Sequence, residues 1–268
     1  MHSGLKGLAT EFLKKFDICI AKFSEIQKIT EKSKGGNILE LLLEIPEKND
    51  AQFGQQDARI LKALRGSKSQ LGQDLFVLCE LGFKEGGYFV EFGATNGIDL
   101  SNTYVLEKQF GWSGIVAEPA GLWHEALKAN RSCHIETDCV WRESNAVLTF
   151  NEVDFGEFST IDTYSSVDAL SKVRKQGKAY SVNSISLNDM LDKYKAPSRI
   201  DFLSIDTEGS EYEILSNFDF GKYQFTTICC EHNYMPVREK IFSLLTKHGY
   251  VRKFEEVSEF DDWFVKVD

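Results

Sequence analysis

Gly87-Tyr88-Phe89-Val90-Glu91-Phe92-Gly93-Ala94-Thr95-Asn96-Gly97 is the stretch whose reading decides the fold. Tyr88 to Phe92 reads as a short buried strand running into a loop with two glycines and an asparagine. From Leu100 to Phe110 the spacing is helical, with Ser101 and Asn102 placed to cap or line its start. Strand, Gly-rich turn and helix N-terminus open a nucleotide-cofactor site in an α/β fold. The turn is Glu-x-Gly-x-x-x-Gly. It is neither the Gly-x-Gly-x-x-Gly of a dinucleotide fold nor the Gly-Lys-Ser/Thr of a phosphate loop. A cofactor without a pyrophosphate suits it better.

Glu91 sits inside an apolar strand, where an ionised carboxylate is costly to bury unless it is paired. The sulfonium and ammonium groups of S-adenosylmethionine would give it positive charge to meet. Gly93 and Gly97 would let the backbone approach such a ligand without a Cβ clash. The plainer alternative is an acid facing solvent, followed by an ordinary glycine turn.

The 268 residues suit one α/β domain with an N-terminal extension, and 42% hydrophobic with 27% charged residues is a core-forming composition. A net charge of −10 argues against nucleic acid as main partner and against adhesion to anionic membranes. No apolar run approaches the roughly 20 residues of a spanning helix. The start shows no signal-peptide pattern. Six cysteines, at 19, 79, 133, 139, 229 and 230, include no Cys-x-x-Cys pair. Free thiols in a reducing cytoplasm are the expectation.

Apolar residues from Leu5 to Ile29 recur in steps of three and four and predict an amphipathic helix. A second helix, Ile38 to Ile45, stops at Pro46, and a third covers Asp57 to Leu64. Residues 1–66 are thus expected to form a helical extension, either a cap or a homodimer contact, ahead of a domain at 67–268. Ser69 to Asp74 opens a helix reaching Leu81, in which Gln70, Gln73 and Asp74 are caps or line the cofactor pocket. Gly114 to Ala117 is the second strand, ending on Glu118-Pro119, and His134 to Val140 is a third. Glu118, about 25 residues after Gly93, can accept both hydroxyls of a ribose, in an NAD site as well as any other nucleoside site. Ala146 to Val153 is a strand, and the region from Phe158 to Gly177 interrupts the alternation as a substrate-covering insertion, whose Tyr164 and Tyr180, with Arg174, Lys175 and Lys178, could meet a phosphate or sugar, or as a solvated loop. Ser184 to Ser186 ends a strand before a capped helix. Ile200 to Asp206 and Phe225 to Cys230 are further strands, the second followed by Glu231-His232-Asn233 and a helix from Pro236 to His248. Tyr250 to Glu255 and Trp263 to Val267 suggest an antiparallel edge hairpin. The layout is a Rossmann-like, mostly parallel sheet of seven strands with a reversed last strand, the class I methyltransferase fold.

The chain resembles the FkbM family of S-adenosylmethionine-dependent O-methyltransferases. The matching stretches are Ser69-Gln70-x-Gly72-Gln73-Asp74, Phe89-Val90-Glu91-Phe92-Gly93-Ala94-x-Asn96-Gly97, Ser101-Asn102-Thr103, Gly111-Trp112-x-Gly114, Glu118-Pro119 and Asp206-Thr207-Glu208-Gly209-Ser210-Glu211. They fall in family order from Ser69 onward, with Glu91 where the family more often has Asp. The resemblance implies methyl transfer to a hydroxyl, often of a sugar or polyketide, and so a nucleotide-linked sugar of a surface-polysaccharide pathway as one acceptor. It implies that Glu91, Gly93, Asn96 and Ser101 or Asn102 contact the methionine part, Glu118 the ribose, and Asp138-Cys139 the adenine edge, with Gln73 and Asp206 at the same site. For the hydroxyl proton, the general base is Asp206 or His232, with Glu208 a further candidate. Alternatively, Asp206, Glu231 and His232 hold Mg²⁺ or Mn²⁺, in a placement similar to catechol O-methyltransferase. The rivals are an NAD-dependent oxidoreductase, which lacks its glycine fingerprint here, and a non-catalytic scaffold on a relict cofactor fold.

Overall fold

The computed structural model describes residues 55–152, 160–161 and 178–267. The chain divides into two compact units between Gly66 and Ser67. Of the first, the described part is helix α1, Gln55–Gly66. The helices expected between Leu5 and Ile45 lie outside the described residues, as do Tyr164, Arg174 and Lys175.

The second unit begins with α2 (Gln73–Glu80), β1 (Tyr88–Phe92), α3 (Tyr104–Phe110), β2 (Ser113–Ala117), α4 (His124–Asn130) and β3 (His134–Glu136). There follow β4 (Cys139–Trp141), β5 (Val147–Glu152), β6 (Thr160–Ile161), β7 (Lys178–Ser186) and α5 (Leu187–Lys193). It closes with β8 (Arg199–Ile205), α6 (Glu211–Ser216), β9 (Gln224–Glu231), α7 (Arg238–Lys247), β10 (Tyr250–Lys253) and β11 (Asp261–Lys266). Seven strands form the main sheet in the order β10-β11-β9-β8-β1-β2-β3. Only β11 runs against its neighbours. This is the class I methyltransferase sheet that the sequence predicts.

β1 is an interior strand, between β8 and β2, and can be buried on both faces. Alternation sends Val90 and Phe92 into the cluster of Ile205, Ile228, Met190, Ile214 and Leu245. Phe89 and Glu91 turn to the opposite face, where the Arg131 guanidinium stands 5.4 Å over the Phe89 ring. The start of β1 is pinned by Asp201, whose carboxylate accepts the Tyr88 amide and the exposed Lys84 ammonium. Helix α5 starts at Ser186, whose hydroxyl accepts the Asp189 amide as an N-cap.

The predicted third strand, His134 to Val140, is two strands in two sheets. One Glu136 carboxylate oxygen accepts the Thr137 and Asp138 amides. Those two bonds turn the chain out of the main sheet. It enters a second sheet, ordered β4-β7-β5-β6. There β5 and β7 pair antiparallel from Val147↔Asn183 to Glu152↔Lys178. Only the last residues of β7 were legible in advance.

β11 carries Trp263, the largest of the fully buried side chains among the described residues. Trp263 has no exposed surface and stacks on Phe76 of α2 with ring centroids 5.0 Å apart. Trp263→Ala is expected to cost about 3–5 kcal/mol through the cavity it leaves, read as a lower midpoint in urea unfolding. A change under 1 kcal/mol would show that β11 is not packed this way.

Candidate active site

In a parallel sheet the strands end at one edge, and their terminal residues meet there. A cavity of about 280 Å³ lies at that edge. β1 and the loop after it contribute Glu91, Gly93, Thr95, Leu100 and Asn102; the end of β2 contributes Glu118 and Pro119. Asp206, Thr207, Glu208 and Ser210 follow β8, Glu231 ends β9 and Asn233 follows it. Asp261 starts β11, opposite Glu231 in register. Because β11 is reversed, its first residue joins the last residues of its neighbours. Nothing in the local pattern around Asp261-Asp262 signals this, and the sequence reading missed it. Gln73 reaches the same edge and donates from Nε2 to Asp261 at 2.8 Å.

Glu91 is held by protein groups. Its carboxylate accepts the Asn102 amide at 2.6 Å, the Thr103 hydroxyl at 2.5 Å and the Ser101 hydroxyl at 3.0 Å. Arg131 Nη1 lies at 3.4 Å, with both side chains buried. The same guanidinium bonds Glu107 at 2.6 Å, Ser101 at 3.1 Å, Thr103 at 2.8 Å and the Gly97 carbonyl at 3.3 Å. Burial opposes its charge, and Glu91 and Glu107 outweigh that and raise its pKa. Glu91 therefore faces the cavity as the anchor of loop 97–103. Arg131 was missed because its partners lie 24 to 40 residues away in sequence.

The glycines serve the same internal fit. A Cβ on Gly93, at φ +73°, would sit 2.5 Å from the Asp206 carbonyl oxygen. One on Gly97, at φ +81°, would meet Arg131 Cγ at 2.6 Å. Their bareness lets β8 and Arg131 come close, before any ligand is considered. Asn96 is the turn-maker of this loop: its Oδ1 accepts the Ile98 and Asp99 amides, and it is not among the residues lining the cavity. Ser101 and Asp138 are likewise outside the lining, whereas Cys139 is part of it. Asp74 of the Ser-Gln-x-Gly-Gln-Asp stretch is buried away from it, accepting the Ser67 and Ser69 hydroxyls.

Six carboxylates line the cavity, from Glu91, Glu118, Asp206, Glu208, Glu231 and Asp261, and among the described residues no Lys, Arg or His does. Burial pushes Glu118, Asp206 and Asp261 each up to about 7. For Glu118, bonds from the Ala120 and Thr95 amides, both at 2.8 Å, partly offset this. Asp206 and Glu231 share a hydrogen bond; burial and then the Asp206 charge raise Glu231 well above its ordinary value. Glu231 thus holds the proton and Asp206 accepts it. One ligand atom from each of Asp206, Glu208 and Glu231 lies within 4.8 Å of the others, a grouping able to hold a metal ion. Asn102 Oδ1 is buried in the cavity wall with no hydrogen-bond partner.

The expected partner His232 points elsewhere. Its Nδ1 accepts the Tyr234 amide at 3.0 Å, and its Nε2 lies 3.8 Å from Asp262. Burial lowers its pKa, against the opposing pull of Asp262. It does not line the cavity, and the three-carboxylate grouping has Glu208 where the sequence reading had His232.

Two outcomes test this electrostatic arrangement. Arg131→Met leaves the buried Glu91 and the half-buried Glu107 without the guanidinium they share, at an expected cost of about 3–5 kcal/mol; the double variant Glu91→Gln, Arg131→Met should regain the part due to Glu91 in chemical unfolding. The raised acids bind protons more tightly folded than unfolded, so the ligand-free protein should lose thermal stability as pH rises from about 4 to about 7. Asp206→Asn should flatten that slope. A melting temperature that rises over the same interval would contradict the burial of these charges.

The methyltransferase FkbM domain model matches residues 91–260. No curated protein matches the chain. Among solved structures, the methyltransferase FkbM from Methylobacillus flagellatus KT is similar at 13% identity and TM-score 0.45, covering 82% of this chain and 57% of that one. A TehB-like SAM-dependent methyltransferase from Corynebacterium glutamicum is similar at 9% identity and TM-score 0.40, covering 82% and 98%. A precorrin-6y C5,15-methyltransferase from Geobacter metallireducens GS-15 is similar at 13% identity and TM-score 0.37, covering 72% and 85%.

Proposed function

Because the chain belongs to the FkbM methyltransferase family, we propose that it transfers the methyl group of S-adenosylmethionine to a hydroxyl of a sugar. The observation that carries this reading is the cavity of six carboxylates with no cationic side chain among its described lining. Such a wall repels the pyrophosphate of NAD and attracts a ligand with a sulfonium and an ammonium. The residues present fit that ligand. Glu118 keeps lone pairs for a ribose diol beyond its two amide bonds. Asn102 Oδ1 is an unused acceptor for an ammonium. Cys139, Val140 and Phe150 supply an apolar wall for a base.

When bound, S-adenosylmethionine supplies an electrophilic methyl on a positively charged sulfur. The chain's own task is to hold the acceptor hydroxyl near that carbon and take its proton. Asp206 is the best-placed base: raised towards neutral pH, it accepts a proton while Glu231 keeps its own. Glu208 completes the acidic side of the pocket. A second reading has Asp206, Glu208 and Glu231 hold a divalent cation. The all-oxygen set favours Mg²⁺ or Mn²⁺, which would lower the hydroxyl pKa.

A nucleotide-linked sugar fits if its sugar enters the cavity and its phosphates stay outside the acidic wall. In this reading residues 67–268 carry the chemistry, and residues 1–66 cap it or pair two copies. Among the described residues no helix is long and apolar enough to cross a membrane. The free thiols of Cys79, Cys133, Cys139, Cys229 and Cys230 suit a reducing cytoplasm.

Titration calorimetry of the EDTA-treated protein should show micromolar binding of S-adenosylmethionine and none of NAD⁺. Glu118→Ala should weaken binding about tenfold or more, the loss of a charged hydrogen-bond partner. Repeating the titration with Mg²⁺ or Mn²⁺ separates the base from the metal reading. Absence of S-adenosylmethionine binding in every condition sinks the proposal.

A further inference from the structure

Tyr180 and Glu152 lie outside the cavity lining, on the two paired strands of the second sheet. They grip the loop that carries Glu118. That loop, 118–122, runs into a single 3₁₀ turn at Gly121–Trp123. The first amides of such a turn have no partner inside it. Here the Gly121 amide donates to the Tyr180 hydroxyl at 3.1 Å, and the Leu122 amide donates to Glu152 Oε2 at 3.3 Å. The Tyr180 hydroxyl donates to that same Glu152 oxygen at 2.8 Å. The three bonds form one closed unit, which neither residue can make alone.

This unit also touches the cavity wall. Phe150 lines the cavity and is paired in register with Tyr180, their ring centroids 5.8 Å apart. Glu118 is aimed by the amides of Thr95 and Ala120, the second of which belongs to the gripped loop. A loop free to drift would move the Ala120 amide, and the carboxylate with it.

We propose that Tyr180 and Glu152 are positioning residues that fix the Glu118 loop and thereby set the affinity for the ribose end of the cofactor. The inference rests on the cofactor reading above, through Glu118. Neither residue touches the ligand: the effect passes through the Ala120 amide to the carboxylate that faces the diol.

The test is calorimetric titration of the full chain with S-adenosylhomocysteine and with its 2′-deoxy analogue. Wild-type protein should prefer the ribose form. Tyr180→Phe keeps the ring against Phe150 and removes the hydroxyl. It should bind S-adenosylhomocysteine about tenfold more weakly and weaken the 2′-deoxy analogue less, because that analogue has one ribose hydroxyl left for Glu118 to hold. Glu152→Ala should behave alike, and the double variant should lose no more than either single one, because the bonds form one unit. Glu152→Gln should recover most of the affinity, since its amide oxygen still accepts from Leu122 and Tyr180. Equal weakening of both ligands, or no weakening of either, overturns the proposal. If wild-type protein binds neither ligand, the cofactor reading itself fails, and this inference falls with it.

Discussion

The guanidinium of Arg131 has no contact with solvent, and its surroundings explain how the ligand edge of the sheet keeps its shape. A buried cation must be matched by acceptors in place, and five side-chain or carbonyl oxygens are offered to it. Those oxygens come from β1, from the loop after it and from α3. The cation therefore ties together the strand end, the turn and the helix start that frame the cavity. It also fixes Gly97, where any side chain would collide with Arg131. Glu91, which looks from its position like a ligand to the cofactor, spends most of its capacity on this internal structure.

Glu91 is neutralised from within, whereas the described lining of the cavity offers no Lys, Arg or His to face the other acids at the strand ends. Five carboxylates crowd a space of about 280 Å³; burial raises the pKa of four of them, and repulsion from other lining carboxylates adds to it at Asp206 and Glu231. Negative charge at this edge of the sheet is therefore costly, and positive charge placed among these carboxylates would offset that cost, whereas further negative charge would add to it. The same arithmetic gives Asp206 and Glu231 unequal roles, since two carboxyls at hydrogen-bond distance share a single proton.

The second sheet gives the ligand edge a wall that the parallel sheet cannot supply. Glu136 turns the chain out after β3, and β4 returns at Cys139 to line the cavity. From β5 and β7 the sheet adds Phe150 to the lining and bonds the loop after β2 from outside.

The amino-acid order was enough for the parts that depend on neighbours in sequence. The β1 strand, the turn after it, the acids Glu118, Asp206 and Glu231 at their strand ends, and the reversed final strand follow from local pattern and spacing. Hydrophobic periodicity and turn chemistry act over a few residues, so they are legible there. The tertiary structure alone decided which polar groups meet. Asp261 enters the site because β11 is inserted, reversed, between β9 and β10. Arg131 is claimed by groups up to 40 residues away. His232 turns to Tyr234 and Asp262 because the backbone after β9 directs its ring away from the cavity. Asn96, apt as a ligand in a glycine loop, is used up by two amides of its own turn. Pairing of buried charge is settled by distance in space, and that distance exists only once the sheet has formed.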